Sequence, residues 1–209
     1  MKTSFKSYLA IGALFVTGAI SACHSNQKDS SSIADSANQK QIAANDSAAK
    51  AQKVNADSAT KAQTSLQKDA SKFLVKAYEA GMFEVQLSQL AASNGLDTDV
   101  KNLAAMLVTD HTAVNDKINA IATSASFVLP TAVNADHQKA LQDLGKLTGA
   151  DFDKKYISTI VSGHEDAVTD YKDAYKNLPD GDTKTLAAEI LPKIQNHLAM
   201  AKKVKDRIK

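Results

Sequence analysis

The sequence lacks several residue types, and their absence bears on both fold and chemistry. Its 209 residues contain no tryptophan, one cysteine, three prolines and eight glycines. The remainder is rich in Ala, Lys, Asp, Leu and Gln. Few helix breakers among many helix formers predict an all-α fold. There is no Gly-x-Ser-x-Gly motif and no Gly-rich phosphate loop, so neither a serine nucleophile elbow nor a nucleotide cradle is indicated.

No charge of one sign dominates the chain. Its 25 basic and 23 acidic side chains nearly balance, which indicates neither a nucleic-acid partner nor a strongly anionic membrane surface as a partner. The basic stretch 202–209 is the exception. Because cations are favoured in the last turn of a helix, we interpret this stretch as a solvated helix end.

The single cysteine, Cys23, directly follows a short apolar segment at residues 8–22. Lys2 and Lys6 precede that segment, which is too short to span a bilayer and is typical of a secretory signal peptide at residues 1–22. Ile20-Ser21-Ala22-Cys23 resembles the lipobox of bacterial lipoproteins. The resemblance implies cleavage before Cys23 and a diacylglycerol on its sulfur, so that acyl chains anchor the protein to a membrane of the cell envelope.

Two consequences follow from lipidation at Cys23. A sulfur committed to lipid excludes cysteine catalysis and leaves only nitrogen and oxygen ligands for any metal. Ser25 and Asn26 show no obvious inner-membrane retention signal, which favours the outer membrane.

Residues 23–67 form a polar segment without aromatic residues. The tripeptide Asp-Ser-Ala recurs there at Asp35, Asp46 and Asp57, a spacing of eleven residues that corresponds to three helical turns. The apolar stripe on such a helix would be thin. The segment is therefore either a helical stalk that holds the domain away from the lipid, with scope for self-association, or a disordered tether.

From residue 68 onward the apolar positions follow a helical period to the end of the chain. Four long helices are predicted, at 68–93, 98–124, 150–177 and 182–208, together with a short helix at 134–146. Residues 68–209 are thus expected to form one antiparallel four-helix bundle. The connection that holds the short helix is either a ferritin-type crossover or a segment folded back on one end.

Local signals mark the helix ends. Asn94-Gly95 predicts a helix stop of the kind that permits a left-handed residue. Asp182 or Thr183 is expected to cap the last helix. Pro192 lies inside that helix and is expected to kink it or loosen one turn.

Three helices each carry one histidine on the predicted core face. Helical-wheel positions at 100° per residue direct His111, His164 and His197 inward, and Glu84 is the corresponding carboxylate on the first helix. Glu79 points the other way on the same wheel. At 1.5 Å rise per residue all four inward residues fall near mid-height of their helices. The sequence therefore predicts one polar layer in the bundle core.

A set of short motifs also resembles a known family. The motifs are Phe73-Leu74, Glu84-Val85 with Gln89-Leu90-Ala91, Met106-Leu107-Val108 before Asp110-His111, Leu147-Thr148-Gly149 with Phe152-Asp153 and Tyr156, His164, and Leu191-Pro192 before His197-Leu198. In order and spacing they resemble the bacterial envelope family catalogued as domain of unknown function 4142, over roughly residues 69–205. The resemblance implies a ferritin-like bundle without an established activity, and Glu84, Asp110, His111, His164 and His197 fall on its recurring polar positions.

Imidazole and carboxylate groups in a bundle core are plausible metal ligands. We therefore predict Glu84, His111, His164 and His197 as candidate ligands, with zinc, copper or iron as the ion. No Glu-x-x-His motif is present, because Val108, Val161 and Ile194 occupy the positions three before the histidines. This departs from working di-iron bundles and suits zinc or copper at least as well.

The residues next to two of these histidines have a different expected role. Asp110 and Glu165 point about 100° away from the neighbouring imidazole, so we expect supporting contacts and not ligation. His24 and His137 lie off the core stripes and are interpreted as residues without a site role. Glycoside chemistry needs two opposed carboxylates, and Glu84 alone is expected to be buried.

An alternative interpretation needs no metal. Glu84 hydrogen-bonded among buried histidines would form a polar network that fixes the register of the helices. The protein would then be a non-catalytic structural or interaction module.

Overall fold

The computed structural model describes residues 29–51 and 57–209 of the chain, with side chains over 29–48 and 61–209. Within these ranges the fold is all-α, as predicted, with six helices and no strand. The helices are α1 (Ser30–Ala51), α2 (Asp57–Asn94), α3 (Thr98–Ser124), α4 (Ala135–Gly145), α5 (Gly149–Asn177) and α6 (Asp182–Arg207). The expected signal peptide, Cys23 and His24 lie outside the described residues.

The predicted bounds agree with the structure except at the first long helix. α2 begins at Asp57, well before residue 68, because residues 57–67 at the end of the polar segment belong to the same helix. The helix ends at Asn94 as expected, but no left-handed residue follows. Gly95 is needed for a different reason: a Cβ there would lie 2.7 Å from the carbonyl oxygen of Ala91.

Caps at the other helix ends follow the sequence only in part. Asp97 caps α3, where its side chain accepts hydrogen bonds from the amides of Asp99 and Val100. The expected cap of α6 is wrong, because Asp182 is already the first helical residue and Gly181 precedes it without a side-chain cap. α6 continues through Pro192.

Contacts at the helix ends give the topology of the bundle. The amide of Asn94 at the end of α2 donates to the carbonyl oxygen of Leu147, just before α5, so α2 and α5 run antiparallel. Arg207 at the end of α6 pairs with Asp97 at the start of α3, so these two helices are also antiparallel. The order is therefore up, down, down, up.

This topology requires the connection between α3 and α5 to travel the length of the bundle, as in a ferritin-type crossover. α4 lies on this path and packs against α2 and α5. Glu79 on α2 is buried beneath it, and its Oε1 accepts from the amide of Asn134 and lies 2.8 Å from Nδ1 of His137. The crossover alternative is thus confirmed, whereas the expectation that Glu84 is the one buried carboxylate is wrong.

Two apolar clusters fill the bundle, one on each side of the predicted polar layer. The first includes Leu87, Leu103, Leu107, Phe152, Tyr156, Ile160 and Ala201. The second includes Leu74, Val114, Ile118, Tyr171, Leu186, Ile190 and Ile194. On α3, α5 and α6 the predicted histidine falls between the two clusters, and Glu84 on α2 lies between Leu74 and Leu87, so the layer crosses the bundle near mid-height.

α1 packs along α2 and against the start of the crossover connection. Ala34 and Ile42 are buried in this contact. The side chain of Asn38 accepts from the amide of Val128 at 2.6 Å and donates to its carbonyl oxygen at 3.0 Å. Residues 30–51 are therefore helical and lie against the bundle. The interpretation of segment 23–67 as a stalk or a tether stays a prediction.

None of the described helices combines the length and the apolar character that a membrane crossing requires.

Candidate metal centre

The structure brings Glu84, His111, His164 and His197 together in one buried layer. Each comes from a different helix, α2, α3, α5 and α6 respectively. The helical period places each of them on the core face of its helix, with apolar residues above and below. Burial of four polar side chains is costly unless they satisfy one another, and their mutual contacts show how they do so.

Glu84 contacts two of the three histidines. Its Oε1 lies 3.1 Å from Nδ1 of His164, and its Oε2 lies 2.8 Å from Nε2 of His111. Nδ1 of His164 also lies 3.0 Å from the carbonyl oxygen of Ile160. Because both neighbours of this nitrogen are acceptors, Nδ1 of His164 carries a proton. Nε2 is therefore the nitrogen of this ring that could bind a metal ion.

His197 continues the contacts across the layer. Its Nδ1 lies 3.3 Å from Nε2 of His164, and its Nε2 lies 2.8 Å from Oδ2 of Asp110. Lys193 donates to the other oxygen of Asp110 at 2.7 Å. Asp110 therefore orients His197, its partner across the α3–α6 contact, and not His111 beside it in sequence.

The three imidazole rings form a nearly equilateral triangle. Each pair of ring centres is 5.4 Å apart, and the ring planes are inclined to one another by 52° to 86°. One ligand nitrogen from each ring lies within 4.8 Å of the other two. The rings are thus arranged about a common centre.

The protonation of these groups follows from burial and charge. Burial alone would raise the pKa of Glu84, but the charges of His111 and His164 and their contacts outweigh it and hold the pKa well below its usual range. Burial opposes charge on His164, yet the Glu84 carboxylate raises the pKa of His164 above its usual value. Burial, with the nearby charges of His111 and His164, lowers the pKa of His197 to about 4 despite its bond to Asp110. In the metal-free layer the charged form of His164 is therefore favoured, and His197 is a neutral acceptor.

Two candidate residues have positions that differ from the expected ones. Glu84 belongs to the layer but not to the set of nitrogens that surround the common centre; it supports His111 and His164 from outside. Glu165 is not brought to the layer, because its side chain is exposed and pairs with Lys202 at 2.7 Å. His137 lies on α4, stacked on Phe83 with ring centres 3.9 Å apart.

A cavity of about 480 Å³ opens between α2 and α5 and reaches the layer. Small residues on the two helices hold it open, and Glu84 and His111 line it, whereas His164 and His197 do not. Gly163 lies above the carboxylate: a Cβ there would be 3.3 Å from Oε1 of Glu84. Access from solvent therefore ends at Glu84 and His111, and the centre between the three rings is closed on this side.

Comparison with known proteins gives this arrangement a family context. The profile of the family described as "Domain of unknown function (DUF4142)" matches residues 55–204, well over half of the chain. The chain belongs to the DUF4142 family. The match covers α2, α3, α5 and all but the last three residues of α6, with each residue of the polar layer, so the layer lies within the family domain.

Solved structures support the fold of this DUF4142 domain. The chain is similar to the crystal structure of a putative secreted protein, DUF305, from Streptomyces coelicolor, with a TM-score of 0.56 and 15% sequence identity. The similarity covers 66% of this chain and 93% of the other. At this identity the comparison supports a shared helical fold alone. A search of the curated proteins finds no match.

Sequence reasoning missed buried polar residues of the DUF4142 domain outside the layer. Asp153 accepts hydrogen bonds from the amides of Leu96 and Asp97 and so fixes the turn between α2 and α3. Ser88 and Tyr156 share a buried hydrogen bond of 2.9 Å. Asp153 and Tyr156 were present in the family motif, but no spacing rule indicates a partner that lies more than fifty residues away.

Proposed function

We propose that this protein binds one transition-metal ion through His111, His164 and His197, for sequestration or protection against metal stress in the cell envelope. The triangle of rings carries the proposal. With Zn–N bonds of about 2.1 Å and a ring centre about 1.1 Å behind its nitrogen, tetrahedral angles give ring-centre separations of about 5.2 Å and nitrogen separations of about 3.4 Å. The ring centres are 5.4 Å apart. Nε2 of His164 and Nδ1 of His197 are separated by 3.3 Å, and one nitrogen from each of the three rings lies within 4.8 Å of the other two.

The carboxylates around the rings support the same interpretation. Metal-bound histidines commonly donate their second N–H to a carboxylate or carbonyl, which fixes the ring and increases its basicity. Here Nδ1 of His164 faces Glu84, and Nε2 of His197 faces Asp110. Those contacts leave Nε2 of His164 and Nδ1 of His197 for an ion, and these are the two nitrogens that approach each other.

The donor set limits the identity of the ion. Three imidazoles without a bridging carboxylate suit Zn²⁺ or a copper ion, and a single Fe²⁺ less well. A di-iron centre does not suit this layer, since Glu84 is its one buried carboxylate within reach of the rings. Because the cavity does not reach all three rings, holding an ion agrees with the geometry better than turnover of a substrate.

The envelope location is part of the proposal. Cys23 and the apolar segment before it suit a lipid anchor that leaves the bundle outside the cytoplasm, with the outer membrane favoured. The structural neighbour is titled a putative secreted protein, which supports a location outside the cytoplasm.

One observation favours a second candidate function. Glu84, His164, His197 and Asp110 form an unbroken chain of polar contacts that joins all four bundle helices. Such a network can fix helix register with no metal bound. Against it, the three rings surround a common centre, with one nitrogen of each within 4.8 Å of the others, an arrangement that a structural network does not require.

Metal content decides between the two candidates. The full chain, purified without a metal-affinity tag, is dialysed against Zn²⁺, copper or Fe²⁺, and bound metal is measured by elemental analysis alongside the melting temperature. We expect about one ion per chain and a raised melting temperature, because an ion that binds only the folded state stabilises it by mass action. No metal above trace with an unchanged melting temperature would refute the proposal.

Variants separate binding from general damage. His111→Ala, His164→Ala and His197→Ala should each lose the ion, whereas His137→Ala, which removes a histidine outside the layer, should retain it. The structural alternative makes a different prediction, that His164→Leu preserves or raises stability because a buried polar network is replaced by apolar packing. A large loss of stability in this variant together with loss of bound metal would contradict the alternative.

A further inference from the structure

An exposed apolar patch lies where α1 meets the crossover connection. Ile33 and Val128 are 55% and 46% exposed, and they line one groove of about 450 Å³ together with Leu129 and Ala132. The other large apolar side chains exposed in the described part of the chain, Leu96, Tyr175 and Met200, do not line this groove.

The groove carries almost no charge. Asp29 is the one charged residue among those that line it, and the others are apolar residues, hydroxyl residues and one glutamine. Little charge would have to be desolvated if an apolar phase covered this surface. Contiguous apolar surface rimmed by polar residues is the kind of surface that contacts a membrane or a partner.

The position of the patch along the chain indicates its partner. Asp29 is six residues from Cys23, and six extended residues reach at most about 20 Å. Because Asn38 and Ser30 hold α1 to the crossover connection, the distance between the bundle and the anchor is set by these six residues and not by the whole of segment 23–67.

We propose that the Ile33–Val128 patch rests on the lipid surface beside the acylated Cys23, so that the bundle lies on the membrane by its α1 side. This inference depends on lipidation of Cys23 and not on metal binding. Two apolar side chains add a weak contact of their own, which the anchor makes effective by raising the local concentration of the membrane surface. α6 packs against α3 and α5, away from α1, and should face water.

Site-specific quenching tests this orientation. In the lipidated full chain the sulfur of Cys23 is blocked, so Val128→Cys supplies one free thiol for a fluorophore. The control is Met200→Cys on α6, where the native side chain is 37% exposed. Both proteins are reconstituted in phosphatidylcholine vesicles with and without brominated acyl chains, and acylation at Cys23 is verified by mass spectrometry.

We expect brominated lipid to quench the label at position 128 several-fold more than the label at position 200. Ile33→Cys should repeat the result at position 128. Equal quenching at the two faces, or a label at position 128 that only water-soluble quenchers reach, would overturn the proposal. A label protected by a second copy of the chain would show no bromine quenching and would count against it, as would a mass without acyl chains.

Discussion

Lowering the pH from 6.5 to 4.5 should destabilise the metal-free protein through His197. Burial lowers the pKa of this ring to about 4 in the folded chain, whereas an unfolded histidine has a pKa of about 6.5. Between these two values the unfolded state binds more protons than the folded state. The free energy of unfolding must therefore fall as the pH falls through this range.

The size of this effect follows from the two pKa values. With a pKa of about 6.5 in the unfolded chain and about 4 in the folded chain, His197 lowers the free energy of unfolding by about 0.4 kcal/mol at pH 6.5 and by about 2.6 kcal/mol at pH 4.5. The difference is about 2 kcal/mol. The raised pKa of His164 instead stabilises the folded protein at low pH. This stabilisation is nearly complete at pH 6.5 and below, so it changes little between pH 6.5 and pH 4.5. Glu84 and Asp110 have lowered pKa values, so their contributions are lost mainly at lower pH.

Urea unfolding at a series of pH values, with a chelator present, measures this slope. His197→Gln removes the titrating group and keeps a side chain that can both donate and accept hydrogen bonds. We expect the wild-type protein to lose about 2 kcal/mol more than this variant between pH 6.5 and pH 4.5. Equal losses in the two proteins would refute the conclusion that His197 is neutral and buried in the folded state.

Two further predictions concern packing. Gly81→Ala should lower the free energy of unfolding by about 1–3 kcal/mol, because the new Cβ would lie 2.2 Å from Oδ1 of the buried Asn115. The matched control is Gly145→Ala, whose new Cβ meets nothing within 4 Å. Equal unfolding curves for the two variants would contradict the clash. Asn38→Ala should weaken the docking of α1 by about 1–3 kcal/mol, since both hydrogen bonds to the backbone of Val128 are lost. Amide hydrogen exchange should become faster in α1 but not in α3. Unchanged protection of α1 would contradict this role for Asn38.

The bundle could be predicted from the sequence because its signals are local. Apolar periodicity predicts the helices. The rotation and rise per residue place His111, His164, His197 and Glu84 on the core faces at one height. Whether a helical residue is buried can be predicted from its own helix, without knowing which helix packs against it. The mutual approach of these residues in the structure follows once four such faces pack together.

Contacts that depend on the crossover could not be predicted in the same way. Glu79 points away from the four-helix core, as its position on the wheel indicated, but α4 covers that face and buries the carboxylate against Asn134 and His137. Asp110 supports His197 on another helix and not His111 beside it. Both facts depend on the up, down, down, up topology, which amphipathic periodicity leaves open.

The packing of α1 shows a similar limit. The thin apolar stripe of residues 30–51 would not sustain an isolated helix. The structure supplies the missing stabilisation from outside the segment, through the backbone of Val128 and the surface of α2. Side chains in a polar repeat give no indication of a backbone partner ninety residues away.

The central claim is that His111, His164 and His197 together bind one metal ion. X-ray absorption spectroscopy of the zinc-loaded full chain, free of affinity tag, measures the ligands directly. We predict a first shell of nitrogen and oxygen at about 2.0 Å with outer-shell scattering from three imidazole rings. A spectrum of zinc coordinated by oxygen alone, or by fewer than three imidazoles, would contradict the claim.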